Sequence, residues 1–554
     1  MINLEKLTLA HVFQVREQGN PDEVQFSFVD EEPFTFKDVR DKSKALQKWL
    51  QKKDMKKGER VAILGENSPQ WGVAYLAVGA MGGVNVPILP DFHKSEVHHI
   101  LKNSEARILF ISSKLFYKLL NGGFPALKHI VVLDDQSQEL DDMEITIFSQ
   151  AIDDGNALDG DVNVDIEEDE LLEILYTSGT TGHSKGVMLT HKNIISNALS
   201  AIDVIDVSEK DKLLSILPMS HSYECTCGFI TPFIVGAKVY HIKGLPTAQT
   251  LLPAVAKIKP TMILSVPLIM EKVYKKKVLG EINAKAATKF LHNFGPTRKL
   301  VHKIAGKKLY EAFGGNLRFM VFGGAATPPE VETFLTDGGF PYITGYGLSE
   351  SAPILTVSPV GAQRHGSAGK VVKDVKIRID DPDPETGIGE IVATGPNIMQ
   401  GYYKNEEATK NTFTEDGWLI TGDKGYIDED GYLFIKGRSK NLIVGPSGEN
   451  IYPEEIEFHI SQNNFVMESL VYESEGRIVA RVFLDYDAID KEYGTSKMDE
   501  GEAKKIVQKI LDSIKKNVNE NMASYSRIHK LIEQPEEFVK TPTKKIKRYL
   551  YTNS

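Results

Sequence analysis

Leu171-Leu-Glu-Ile-Leu-Tyr-Thr-Ser-Gly-Thr-Thr-Gly-His-Ser-Lys-Gly-Val187 decides how the chain is read. The apolar run at 174–176 predicts a buried strand. It opens into Thr177, Ser178, Gly179, Thr180, Thr181 and Gly182, with Lys185 close behind. Glycines let a backbone approach an anion without a Cβ in the way, hydroxyls donate hydrogen bonds, and a lysine adds a point charge. The composition is that of a phosphate-gripping loop. It is not the common P-loop, because G-x-x-x-x-G-K-[ST] needs a hydroxyl residue after Gly-Lys, and here Lys185 follows Ser184 and precedes Gly186. By composition alone a Thr/Ser/Gly run is a flexible linker. The strand before it and the helix-start sequence Thr190-His-Lys-Asn193 after it argue for a built loop instead.

Upstream of this stretch the sequence alternates strand and helix. Thr35-Phe-Lys-Asp38 has the form of a capping box, and Val39, Leu46 and Leu50 follow at helical spacing. Strands are predicted at 60–64, 84–88, 107–111 and 129–133. A helix opens at Ser68-Pro69, with proline in the first turn, and another covers 95–103. This rhythm predicts a largely parallel sheet covered by helices. Residues 71–90 carry no charge, a length sufficient to span a bilayer. Gly72, Gly79, Gly82, Gly83, Asn85 and two prolines divide them instead into a helix and a strand. Residues 151–170 hold nine acidic side chains and are read as a solvated linker between this first lobe and the phosphate-loop strand.

At 554 residues the chain has room for more than one domain. With 25% charged and 41% hydrophobic residues it has the balance of a folded soluble enzyme, and its net charge of −11 argues against nucleic acid as a partner. Cys225 and Cys227 have no Cys or His pair nearby at zinc spacing and are read as buried free thiols. No apolar signal segment follows Met1, which points to a cytoplasmic, reducing compartment.

Four further motifs follow the loop in order. Phe322-Gly-Gly-Ala-Ala326 comes after an apolar strand, and Thr344-Gly-Tyr-Gly-Leu-Ser-Glu350 combines glycines, an aromatic ring, a hydroxyl and a carboxylate. Gly417-Trp-Leu-Ile-Thr-Gly-Asp423 is followed by Tyr432-Leu-Phe-Ile-Lys-Gly-Arg438, and Lys540-Thr-Pro-Thr-Lys-Lys-Ile-Lys-Arg548 lies near the end. Singly, each has a structural reading: Asp423 as a turn residue, Glu350 as an acid at a helix start, Lys545 as a solvated charge. In this order, and with the loop, they resemble the signature set of the adenylate-forming superfamily of acyl-CoA synthetases, peptide-synthetase adenylation domains and luciferases. That family's loop is T-S-G-T-T-G-x-P-K-G, matched here except for Ser184 in place of the proline.

The resemblance implies an α/β fold, with a large multi-sheet N-terminal adenylation domain over 1–437 and a small mobile α+β C-terminal domain over 438–554, hinged near Lys440. It implies ATP and Mg²⁺, with coenzyme A as co-substrate. By family role, the loop residues and Lys185 hold phosphates, Gly324 and Ala325 line the adenine and acyl pocket, and Thr344, Gly345, Tyr346 and Gly347 flank the nucleotide, with Tyr346 stacked on adenine. Ser349 contacts the α-phosphate, Glu350 binds Mg²⁺, Asp423 takes the ribose hydroxyls with Arg438 nearby, and Lys545 is the catalytic lysine. Lys544 stands beside Lys545, so that assignment counts from Pro542 and Ile546.

Leu217-Pro-Met-Ser-His-Ser-Tyr-Glu224, with His221 bordering the acyl pocket, and Ser265-Val-Pro-Leu-Ile-Met-Glu-Lys-Val-Tyr274 look most like the long-chain fatty acyl-CoA synthetase branch. The reaction this implies makes fatty acyl-AMP and then fatty acyl-CoA. Two rivals stay open: transfer to acyl carrier protein or a stop at the adenylate, and a non-catalytic acyl or nucleotide sensor. The retained Lys185, Glu350, Asp423, Arg438 and Lys545 argue against the sensor. Residues 272–308 hold eleven Lys or Arg against one Glu. The plain reading is the exposed face of two amphipathic helices. The functional reading is a surface for a polyanion, either coenzyme A phosphates or an anionic membrane that the protein meets peripherally.

Overall fold

The apolar run at 174–176 is the middle of a longer strand, Leu171–Thr177, which turns back through Lys185–Thr190 as an antiparallel hairpin. The structure is a computed structural model that describes residues 4–552 apart from 137, 141–142, 178–183, 245, 445–449, 475 and 542–544. Of the phosphate loop, Ser178, Gly179, Thr180, Thr181 and Gly182 therefore lie outside the described residues, whereas Thr177 and Lys185 face each other in register at its mouth.

Leu171–Thr177 joins the predicted parallel sheet beside Val84–Ile88, and the order continues through Arg60–Leu64, Ile108–Ile111, His129–Val132 and Glu144–Ile147. Gly401–Tyr402 pairs on the far side of the hairpin. A second sheet has at its centre the parallel strands Val24–Phe28, Lys238–His241, Lys212–Ser215, Met262–Ser265, Phe319–Phe322 and Tyr342–Gly347, with antiparallel strands at both edges. Between the two sheets runs Pro69–Ala80, capped by Ser68 with proline in its first turn and buried along most of its length. Trp71 stacks on Tyr75 at 5.4 Å, and both rings meet Phe229 edge-on. Residues 71–90 thus form a helix and a strand because both neighbours are apolar. No described helix is long and apolar enough to cross a membrane.

The helix Phe36–Lys52 starts on the expected box, with Thr35 N–H donating to Asp38 at 2.8 Å and Asp38 N–H to the Thr35 hydroxyl at 3.1 Å. The acidic stretch corrects the sequence reading. Its first residues complete the helix Phe148–Asn156, whose Ala151, Ile152 and Gly155 are buried. That helix packs on Phe36–Lys52 so closely that a Cβ on Gly155 would stand 2.0 Å from the Ala45 carbonyl oxygen. Farther on, Asp165 pairs with Lys6 at 3.2 Å and Glu170 with Lys57 at 2.6 Å. The remainder, 157–170, is largely exposed and lies outside helix and strand, solvated as read, but it joins strands of the same sheet and so does not divide two lobes.

Both thiols are free and buried, as read. Near them sit two carboxyl groups that pair with no cation among the described residues. Glu173 accepts from the Tyr75 hydroxyl at 2.8 Å, and Glu224 from the Ser215 hydroxyl at 2.5 Å. Burial pushes Glu224 up to about 8. A raised folded value means that the native state holds the proton more tightly than the unfolded chain does. This stabilisation is complete below the ordinary glutamate range and is lost as pH climbs through about 8. Glu224→Gln is expected to make the decline of Tm across that window shallower, at about 1.4 kcal/mol per pKa unit relieved. Calorimetry of both proteins over pH checks it; parallel profiles would count against it.

Beyond the second sheet, Lys376–Asp380, Gly389–Thr394, Leu419–Ile427 and Leu433–Arg438 form an antiparallel sheet. The chain then builds a separate small core. The strands Val466–Ser474, Arg477–Leu484 and Lys530–Glu533 are covered by the helices Pro453–Ser461 and Glu500–Glu520, with Ile456, Ile460, Val482, Ile514 and Val518 inside. One side chain of the basic segment reaches this unit: Lys275, paired with Glu271 at 2.9 Å, donates to the carbonyls of Ser461 and Val466, both at 3.3 Å.

Candidate active site

Phe322 and Thr344 are in register on neighbouring parallel strands. The loop carrying Gly324 and Ala325 therefore leaves the sheet beside Gly345 and Tyr346, at the carboxyl ends of the strands where α/β folds bind ligands. Gly324 takes φ +81°, and both it and Ala325 are exposed. The Thr344 hydroxyl meets that of Ser358 at 2.6 Å. Gly347 admits no other residue without a backbone shift, because a Cβ there would fall 1.8 Å from the Pro353 carbonyl oxygen.

Tyr346 donates its hydroxyl to Asp423 at 2.7 Å, and Arg438 Nε lies 2.8 Å from the other oxygen of the same carboxylate. Asp423 and Arg438 are cross-strand partners, so the sheet itself holds the pair. Asp423 is only 4% exposed. Burial pushes its pKa up, while Arg438, the Tyr346 hydroxyl and the charge of Lys545 pull the other way. A buried carboxylate whose oxygens are held by a cation and a phenol is a fixed acceptor, suited to a pair of hydroxyls.

The next turn, Ser349–Ser351, carries the other candidates. Ser349 lies 3.4 Å from the hydroxyl of Ser222, the neighbour of His221. His221 Nδ1 accepts the Tyr223 backbone N–H at 3.2 Å, so the proton of the neutral ring is on Nε2. Burial, and then the nearby positive charge of Lys545, lower its pKa to about 4. It is an uncharged group at neutral pH. Glu350 accepts the Tyr402 hydroxyl at 2.8 Å, and Lys185 Nζ stands 5.0 Å from the centre of the same tyrosine ring.

Tyr402 thus joins the phosphate-loop lysine to the carboxylate, a link that the sequence reading missed. Its only sequence signal is Gly401-Tyr-Tyr403 in a polar stretch, without periodicity. Pairing of Gly401–Tyr402 with Lys185–Thr190 is what brings it here. Tyr402→Phe keeps the ring and removes the hydroxyl. If Glu350 holds Mg²⁺ as the resemblance implies, this change is expected to raise the half-saturating Mg²⁺ concentration of ATP-dependent turnover about ten-fold, the worth of one hydrogen bond to a charged group. An unchanged Mg²⁺ titration would show that the hydroxyl does nothing for Glu350.

Three more residues escaped the sequence reading. Asn67 donates to Ser215 Oγ and the Leu217 carbonyl and accepts from Met219 N–H, which fixes the turn before His221. Glu96 accepts the Ser184 N–H at 2.9 Å, and His99 reaches the Ser184 carbonyl at 3.2 Å. The helix Lys94–Ser104 therefore grips the loop's stem through both backbone groups of Ser184. A proline there would lack the donated N–H.

Lys545 comes from the other side. Residues 540 and 546 form a β-bridge, and Thr541 N–H donates to the Lys545 carbonyl at 2.7 Å. Lys545 is exposed as a residue, yet burial of its ammonium, and then Arg438, lower its pKa, opposed by Asp423 and Glu350. Lys440 is exposed in the short turn Ser439–Asn441. On one side of it Ser439 donates to Glu390 at 2.5 Å, and on the other Asn441 donates to Glu454 at 2.6 Å.

This arrangement of sheets is that of the adenylate-forming enzymes. The fold aligns with the crystal structure of the anthranilate CoA ligase AuaEII in complex with anthranoyl-AMP at a TM-score of 0.79, over 99% of this chain and 97% of that one, with 22% identity. The chain belongs to the AMP-binding enzyme family, which matches it over residues 13–403. It is 28% identical to long-chain-fatty-acid–CoA ligase FadD15 of Mycobacterium bovis over 89% of this chain and 86% of that protein. It is 26% identical to the chloroplastic long-chain-fatty-acid–[acyl-carrier-protein] ligase AEE15 of Arabidopsis thaliana over 76% of this chain and 68% of that one.

Proposed function

We propose that this protein activates a long-chain fatty acid with ATP and transfers the acyl group to coenzyme A. The observation that carries the reading is the approach of Lys545, from the C-terminal unit, to the charges of Glu350 and Asp423 and to His221. A fatty carboxylate is a poor electrophile. In the first step its oxygen attacks the α-phosphorus of ATP, the P–O bond to pyrophosphate breaks, and acyl-AMP forms. Lys545 offers positive charge to the phosphate oxygens as the two anions meet, Ser349 contacts the same phosphate, and Thr177 and Lys185 hold the outer ones. Asp423 takes the ribose hydroxyls beside Arg438, and Tyr346 stacks on adenine. In the second step the thiol of coenzyme A attacks the acyl carbon, AMP leaves, and the thiol proton passes to solvent.

Glu350 suits Mg²⁺. One of its oxygens accepts from Tyr402, and no cluster of three metal-ligating side chains occurs among the described residues, so the remaining ligands would be phosphate oxygens and water, the usual way this ion is held. When bound, the ion neutralises charge on the phosphates. Uncharged His221 borders an acyl pocket whose contents are apolar. Residues 1–437 act as the adenylation domain and 438–554 as a lid that turns about Lys440 between the steps.

Acyl carrier protein as acceptor is the second reading, favoured by the similarity to AEE15. Pyrophosphate release with ATP, Mg²⁺ and free acids from acetate to oleate, with coenzyme A, with holo-acyl carrier protein and with neither, tests both. Release with long chains and faster turnover with coenzyme A is the expected result. Acceleration only by the carrier protein would select the second reading, and response only to short or aromatic acids would refute the long-chain assignment.

A further inference from the structure

The basic segment contains a helical hairpin with an unusual outer face. The helix Ala286–Asn293 has no buried residue. It turns at Phe294 into Gly295–Ala312, whose buried side is limited to His302, Gly306 and Leu309. Facing outward, Phe290 is 71% exposed, Phe294 58%, Leu300 60% and Ile304 58%. Large apolar side chains are left in water singly on most proteins, but a cluster of them marks a contact surface. Here they alternate with cations. Lys285, Lys289, Arg298, Lys299, Lys303 and Lys307 are all exposed. The ion pairs of this segment fall on Lys275 and Lys308, and among the described residues none reaches those six. A shallow groove of about 420 Å³ is lined by Leu300, Ile304, Lys303, Lys307, Lys308 and, as its one acid, Glu311.

The hairpin is also held in shape. Asp337 accepts from His302 Nδ1 at 3.1 Å, which leaves His302 Nε2 to accept from His292 Nε2 at 3.1 Å. That chain ties the outer helix to the inner one and the inner one to Pro329–Gly338. The apolar face is therefore a fixed surface.

We propose that this hairpin docks the protein on an anionic phospholipid bilayer, with Phe290, Phe294, Leu300 and Ile304 in the headgroup and acyl boundary and the lysines on the lipid phosphates. Charge selects this occupant. A second copy of a chain carrying −11 overall would bring the same six cations against themselves across a two-fold axis, whereas an anionic leaflet attracts each of them. The mixture of aromatic, aliphatic and basic side chains is that of a helix lying in a membrane interface.

Flotation of the full-length protein with vesicles of phosphatidylcholine, alone or mixed with phosphatidylglycerol, tests the proposal without any substrate. Its result is independent of the acid the enzyme uses. Binding to the mixed vesicles only, weakened by salt, is expected. Lys285→Gln, Lys289→Gln, Lys299→Gln and Lys303→Gln together are expected to lower vesicle affinity at least about a hundred-fold, at roughly five-fold for each cation. Phe290→Ser with Phe294→Ser is expected to lower it about ten-fold or more at unchanged charge. All six side chains are exposed, so melting temperatures should be unmoved. Lys505→Gln with Lys509→Gln, exposed cations on the helix Glu500–Glu520, should bind as the parent does. The proposal fails if the parent does not float, if the hairpin variants float equally well, or if the phenylalanine variant instead converts a dimer in solution to a monomer.

Discussion

Lys545→Ala is expected to lower acid-dependent pyrophosphate release by about a thousand-fold, the upper range for losing one charge-stabilising donor from a transition state, while thioester formation from supplied acyl-AMP falls less than about ten-fold. The asymmetry follows from where the charge is needed. In the first step two anions are forced together, and the Lys545 ammonium, next to the bridge between 540 and 546, is the cation that the C-terminal unit brings toward Glu350 and Asp423. In the second step a thiol attacks the acyl carbon, no second anion has to be brought onto phosphorus, and the phosphate, which holds one charge, takes up another as AMP leaves. Pre-steady-state assays of each half-reaction decide the matter. Equal loss in both would mean that Lys545 shapes the cleft and does not act on the phosphate. The same surroundings give a pH signature. Burial and Arg438 lower the Lys545 pKa, so its charge, and adenylation with it, should disappear at a lower pH than for an ordinary lysine. The alanine variant should lack that alkaline limb.

Lys440→Pro is expected to do the reverse, leaving adenylation within a few-fold and slowing thioester formation about a hundred-fold, the scale of losing one positioned conformer. Proline fixes φ near −65° and restricts the residue before it. Lys440 lies in the short turn between two anchors, Ser439 on Glu390 and Asn441 on Glu454. In the proposed hinge, a reorientation of the two units would be absorbed between these anchors. Retention of full acyl-CoA turnover by this variant would remove Lys440 from the proposed hinge.

The first parallel sheet and the order of the motifs were legible because each rests on local chemistry, whereas the second sheet was expected only through the family resemblance. The cap at Thr35, the proline at the start of Pro69–Ala80, the strand before the phosphate loop and the helix start at Thr190 after it are set by residues within a few positions of one another. The start of the acidic stretch was misread because its charges outnumber Ala151, Ile152 and Gly155, whose contact with Phe36–Lys52 is visible only in three dimensions. Tyr402, Asn67 and the Glu96 grip on Ser184 were illegible for the same reason. Their partners are 52, 148 and 88 positions away, and nothing in a polar side chain announces a distant carboxylate.

Lys275 leads the basic hairpin in sequence and holds two carbonyls of the C-terminal unit. If that unit swings between half-reactions, the grip must break and re-form once per catalytic cycle. An enzyme berthed on lipid by the hairpin would then feel its mooring through the moving part. Its turnover would register the stiffness and charge of the surface beneath it, as well as the supply of acid dissolved there.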